Sequence, residues 1–521
     1  MTALRMAAAW IAALALFAWP AVASATHGPD EQSPNMQLTA HLFKEGNLAV
    51  PPGSANSDFA FWGSRLYAGH YDGFRIIDIS DPANPINMGD FECRGGQGDP
   101  SVWDNRLLIL SVDTPQLDDN DPATPRGACT EDAPPTNAAG DREGTETPPA
   151  EGAYFEGIRI FDVTNPAAPH LIKGVDTDCG SHTHTIVPDL DNNRLLVYVS
   201  SYALRWGPIC GANTSGRDGD VNPLHNQISV VEVPLAHPED ASVIAEPKLH
   251  PGHPVFPGSA IGPNFAGHDS LGCHDISVNL PLKQAAAACM SDGELWDISD
   301  PANPKTEEAT ATDRPEVDFW HSATFSWDGK YVVYGDESIA GSCNTPDEAD
   351  GRLWLYHRRN IGHAVSSFMI PRTQGGDYCS AHLFNFLPFG GEKGYVLASS
   401  WYNGGVVMID WSQIQHPTEI GYFDRNQGEH EEGFWTGYWY DRHPYGNHIE
   451  QGQFFFNFLS PLTDLTIHED HLNPQVQEFL IPTSAKPMAA LKGRASQAAN
   501  PRARAARTGA NPVAIREIAG P

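Results

Sequence analysis

The chain lacks the short motifs that announce most enzyme classes. It has no CxxC pair, no Gly-rich phosphate loop and no GxSxG elbow, and His430-Glu-Glu is not followed by a second histidine at the zincin spacing. Each of those chemistries needs its residues at that spacing. Thioredoxin-like exchange, P-loop phosphoryl transfer, α/β-hydrolase catalysis and HExxH proteolysis are therefore excluded, and no nucleotide cofactor is expected. Basic residues are scarce, 32 Lys and Arg against 65 Asp and Glu, for a formal charge of −33. So acidic a surface repels a phosphate backbone, and nucleic acid is not an expected partner. Long apolar runs are missing beyond the N-terminus. Met6 to Trp19 is apolar but too short to cross a bilayer. With Arg5 before it and Ala23-Ser24-Ala25 after it, residues 1–25 read as a secretory signal peptide cleaved near Ala25. The mature chain is expected to be exported, periplasmic or extracellular, without a membrane span.

Eight cysteines in an exported chain favour disulfides over metal thiolates. Cys93, Cys179, Cys273 and Cys379 each precede an expected innermost strand. Cys129, Cys210, Cys289 and Cys343 fall in or near the loop after a second strand. The expected pairs are Cys93–Cys129, Cys179–Cys210, Cys273–Cys289 and Cys343–Cys379. One hairpin would set Cys273 opposite Cys289.

What the chain does have is a repeat. GFRIIDISDPANP (73–85), GIRIFDVTNPAAP (157–169) and GELWDISDPANP (293–304) are nearly the same segment, and GVVMIDWSQIQHP (405–417) is a looser copy. QISVVEV from Gln227, GRLWLY from Gly351 and GQFFFNF from Gly452 are degenerate copies. A strand that cannot bury both faces alone must stack on its neighbours. Each copy reads as the third of four short strands, closed by an Asp-Pro turn in which Asp bonds the turn and Pro presets φ. Innermost strands are expected near Asp58, Asp99, His184, His274, His321, His382 and Thr436. Seven four-stranded sheets set radially predict an all-β, seven-bladed β-propeller over residues 36–460. Met36 to Phe43 reads as a lone fourth strand that joins the last blade and closes the ring, removing an open edge. Residues 26–35 read as a linker, 114–153 as a long polar loop and 461–484 as a C-terminal extension. Residues 485–521, with seven Lys or Arg and one Glu, read as a disordered basic tail.

The Asp-Ile-Ser-Asp-Pro-Ala-Asn-Pro turns after Gly-led strands resemble the LVIVD-repeat family of exported bacterial and archaeal proteins. Gly272-Cys-His-Asp-Ile276 with Ala287-Ala-Cys-Met290, Phe319 to Phe325 and Trp401 to Gly405 extend the resemblance, which covers roughly residues 36–460. It implies a secreted β-propeller and transfers no reaction, because fold alone supplies none.

Aligning the repeats places histidine at the start of four successive innermost strands: His184, His274, His321 and His382. Asp58, Asp99 and Thr436 hold that register elsewhere, and the position lies near a propeller axis. His182 shares the face of His184, two residues on, and is an alternative ligand. Three readings follow: a transition-ion site for Fe, Cu or Zn; a proton-transfer site for a small polar ligand, using Asp58 and Asp99; or a hydrated channel lining. Glu337 is the preferred carboxylate on the same mouth, with Tyr402 as a further catalytic candidate. Asp336 and Trp401 lie on that mouth too, Trp401 being expected mainly to pack between blades. The enzyme reading is a metal-dependent oxidoreductase or lyase. The alternative is a non-catalytic recognition or scaffold module that binds a cell-surface component. The sequence leaves the oligomeric state open.

Overall fold

The structure is a computed structural model. It describes residues 30–44, 48, 55–93, 95–112, 157–178, 180–201, 227–249, 272–290, 292–309, 317, 320–338, 351–372, 379–389, 394–425 and 433–482. The segments read as signal peptide (1–25), polar loop (114–153) and basic tail (485–521), with Cys129, Cys179, Cys210 and Cys343, lie outside these residues.

Seven antiparallel four-stranded sheets form the ring. Their innermost strands are Asn56–Trp62, Pro100–Trp103, Thr183–Asp189, Ile276–Asn279, Trp320–Phe325, Phe384–Phe386 and Phe434–Tyr440, in blades 1 to 7. Every Gly-led repeat is the third strand of its blade, from Gly73–Asp78 in blade 1 to Gly452–Phe458 in blade 7. Met36–Phe43 pairs antiparallel with Gly452–Phe458, so the N-terminal strand completes the last blade as the sequence predicts. Buried Arg75 reinforces that seam: it donates to Asp90 of its own blade, and to the Phe43 carbonyl and Gln453 Oε1 of blade 7.

The repeat motif has a local cause. Asp78 Oδ1 accepts the Ser80 N–H at 2.8 Å, and Asp81 Oδ1 accepts the Ala83 N–H at 3.1 Å. The same two bonds recur at Asp162 and Asn165, and at Asp297 and Asp300. Side-chain oxygens thus satisfy the backbone where the ladder ends. The leading glycine is demanded by close approach: a Cβ at Gly73 would stand 1.9 Å from the Phe91 carbonyl oxygen of the outer strand, and one at Gly157 2.1 Å from that of Val175. Between blades the core is aromatic and β-branched, with Phe59, Phe61, Tyr440 and Phe455 sealing blade 7 against blade 1.

Two segments read as lying outside the propeller are part of it. Glu31–Gln32, within the expected linker, adds a fifth strand to blade 6. The C-terminal extension returns beneath the ring, where His471–Leu472 pairs with blade 1 and Val476–Gln477 with blade 4. Among the described residues no helix is long and apolar enough to cross a membrane. Cys273 and Cys289 form a disulfide across the expected hairpin. Cys93 and Cys379 are disulfide-bonded as well, and the partners expected for them lie outside the described residues.

Candidate functional site

The upper end of the channel, where the innermost strands begin, collects the histidines. Backbone register decides which. His274 N–H donates to the Ala288 carbonyl and His382 N–H to that of Ser400. In blade 3 the equivalent bond, to the Ser200 carbonyl, comes from His182 and not from His184. His184 is therefore a correction to the four-histidine set. Two residues further along, its Nδ1 bonds Ser111 Oγ at 2.8 Å and lies 3.5 Å from Asp99.

The imidazoles form a row around the axis. His182 and His274 face each other Nε2 to Nε2 at 2.8 Å. Ring centroids are 3.7 Å apart between His274 and His321, and 4.3 Å between His321 and His382. The four do not converge on one point. Two overlapping triads bring their ligand atoms together instead, His321 with Glu337 and His382, and His274 with Asp275 and His321. Strand irregularities aim this end: His321 and Trp435 each sit at a register break of an innermost strand, where a bulge re-directs side chains.

Glu337 joins the row as expected, its Oε2 3.5 Å from His321 Nε2. Tyr402 OH donates to Glu337 Oε1 at 2.6 Å, and its ring lies 4.6 Å from that of His382. Tyr402 holds a φ of +46°, uncommon for a side chain of its size, in a turn fixed by the Gly404 N–H to the Trp401 carbonyl. Trp401 itself is buried between blades against Phe368, the packing role expected for it. Asp336 is equally buried, and its Oδ2 accepts the Gly351 N–H.

The row is dry. His321 and His382 are each only 1% exposed, whereas the Glu337 side chain is 17% exposed. Burial, with repulsion from His274, His382 and His182, holds His321 well below the usual imidazole range. Burial lowers His382 to about 3 despite the opposing bond from its ring to the Trp435 carbonyl. Neutral imidazoles keep the lone pair that a metal needs. That bond, 2.5 Å from Nδ1 to the carbonyl oxygen, also sets the tautomer: Nδ1 carries the proton and Nε2 the lone pair. His382 Nε2 is buried with no hydrogen-bond partner among the described residues.

Below the row lies an acid group. Asp58 and Asp99 are both buried, and each feels the charge of Asp275. Burial raises Asp58 to about 7, against the pull of its bonds from Phe59 N–H, Gln475 and Thr436. Burial and neighbouring Asp58 hold Asp99 well above the carboxylate range. Tyr438 OH also donates to Asp58 at 3.1 Å. Thr436, read as the blade 7 register position, donates to Asp58 Oδ1 at 3.0 Å. The sequence reading missed Asp275, Trp435 and Tyr438. Asp275 directly follows His274 and Trp435 directly precedes Thr436, so adjacency to the register position was the available signal.

Comparison with known proteins reports on the fold. The family model for the LVIVD repeat matches residues 57–92, which is blade 1. No curated protein matches the chain. Among solved structures the chain is similar to the WD40 β-propeller domain of Doa1, at 10% identity and a TM-score of 0.43, covering 82% of this chain and 98% of that one. It is also similar to a Lactobacillus plantarum protein, at 11% identity and a TM-score of 0.41, covering 75% and 89%.

Proposed function

We propose that this LVIVD-repeat propeller is an exported metal protein, whose ion is held by His321, Glu337 and His382 at the upper end of the axial channel. The observation that carries the reading is His382. Its Nδ1 proton is held by a backbone carbonyl, while its Nε2 lone pair is buried, neutral and without a hydrogen-bond partner among the described residues, in a triad with a second imidazole and a carboxylate. An imidazole oriented through its far nitrogen is the usual arrangement behind a metal ligand. Two imidazoles and one carboxylate suit Fe(II) or Zn. Such an ion polarises a bound oxygen or exchanges electrons, which supports a metal-dependent oxidoreductase or lyase acting on a small molecule. Glu337, the most exposed member, marks the side from which a ligand arrives, and Tyr402 holds its carboxylate in place. Export is supported by the leader-like N-terminus and the disulfides.

Elemental analysis of the purified mature protein tests the reading, with His321→Ala and His382→Ala as controls. About one transition ion per chain, lost in both variants, is expected. A chain without metal that takes up none of Zn(II), Cu(II) or anaerobic Fe(II) at micromolar concentration overturns it, leaving a recognition or scaffold protein. N-terminal sequencing of the exported fraction tests cleavage near Ala25.

A further inference from the structure

The opposite end of the channel is stopped by the chain itself. Asn473, Gln475 and Gln477 lie in a segment that turns at Asn473–Val476, where the Val476 N–H donates to the Asn473 carbonyl at 2.8 Å, and each carboxamide ends on a different part of the ring. Asn473 brackets Val102 of blade 2, accepting its N–H at 2.8 Å and donating to its carbonyl at 3.0 Å. Gln475 donates to Asp58 Oδ2 of blade 1 at 3.1 Å. Gln477 donates to the Phe325 carbonyl of blade 5 at 2.6 Å and accepts from Asn279 Nδ2 of blade 4 at 2.7 Å. The backbone adds bonds from Val278 and Leu280 N–H to the carbonyls of Gln475 and Gln477. Leu472, Val476 and Ile481 are buried along the same path. These contacts answer, one by one, the polar groups that the ends of the innermost strands would otherwise leave open. That is the pattern of a peptide in its binding site, with main-chain bonds for affinity and side-chain bonds for specificity.

We propose that the lower mouth is a binding site for a turn-forming peptide bearing carboxamides, that the chain's own Asn473–Gln477 fills it, and that this makes the histidine channel a blind pocket entered past Glu337. The site is filled within one chain, and the same chemistry would accept the segment as a separate peptide.

The test is made on the full-length protein, stripped of metal with a chelator so that the outcome is independent of the ion. A protease recognition sequence is placed between Asp464 and Leu465, both exposed, and the folded chain is cleaved there. The released segment is expected to co-elute with the ring at micromolar concentration. Asn473→Ala, Gln475→Ala and Gln477→Ala together should weaken its retention at least about 100-fold. Dissociation from the unsubstituted ring, or unchanged retention after the three substitutions, overturns the proposal. Hydrogen exchange on the uncleaved triple variant gives a second reading, should the cleaved chain unfold. The Val102, Val278 and Leu280 amides should exchange at least about 10-fold faster while Ile160 and Val231 hold. Equal rates at the first three also overturn it.

Discussion

The two ends of the axial channel are built from similar polar material and treated in opposite ways. At the lower end each carboxamide of Asn473, Gln475 and Gln477 finds a partner within the chain. At the upper end His382 is buried just as deeply, yet its Nε2 faces no partner among the described residues. An unpaired buried polar atom costs about 1–3 kcal/mol. A fold that satisfies one mouth and leaves such an atom at the other treats the two ends differently: the first needs nothing from outside, and under the proposed function the second is completed by an ion.

Four measurements break or sharpen that contrast. His382→Ala should have the largest effect, lowering affinity for the bound ion by at least about 100-fold while moving the melting temperature little, since the Trp435 carbonyl that loses the ring keeps the Ser400 hydroxyl as a donor. A large loss of stability with unchanged metal content would make the upper end structural too. Gln477→Leu should do the reverse. It strands the Phe325 carbonyl and Asn279 Nδ2, and should lower unfolding free energy by about 2 kcal/mol in denaturant titration with metal content intact. Asp58→Asn probes the ground between the two ends. Asp58 is raised to about 7 in the folded chain, so its protonated form contributes stability that is fully present below the ordinary carboxylate range and fades as pH rises through 7. The variant should therefore gain on the parent protein between pH 4 and pH 8, and parallel pH profiles would show that Asp58 titrates normally. The smallest effect is expected from Tyr402→Phe, which leaves Glu337 without its hydroxyl donor and should weaken metal binding by about 3- to 10-fold. No change would mean that the carboxylate needs no orienting.

How much of this was legible follows from periodicity. The blades were readable because the Gly-led strand and its Asp-Pro turn recur with a mechanical reason, a glycine under a carbonyl and an Asp closing the turn. The histidine register was readable for His274, His321 and His382, whose blades keep the expected offset. It failed in blade 3. The Ser-His-Thr-His run of Ser181, His182, Thr183 and His184 sets both imidazoles on one face, and only the bond to the Ser200 carbonyl shows that His182 is the equivalent position. The lower seal was not readable at all. Residues 473–477 carry no copy of the repeat and follow the last one, and their role comes from partners as distant in sequence as Asp58 and Val102.

The seam between the first and last strands has a consequence for biosynthesis. Met36 must wait for Phe458 before its ladder exists, and so distant a pairing forms slowly. A nascent chain of any shorter length is an open arc with bare edges. Such a product stays threadable, unable to lock into a finished wheel before its C-terminal third is made, and a prematurely terminated copy is left with the ragged margins that proteases and chaperones recognise.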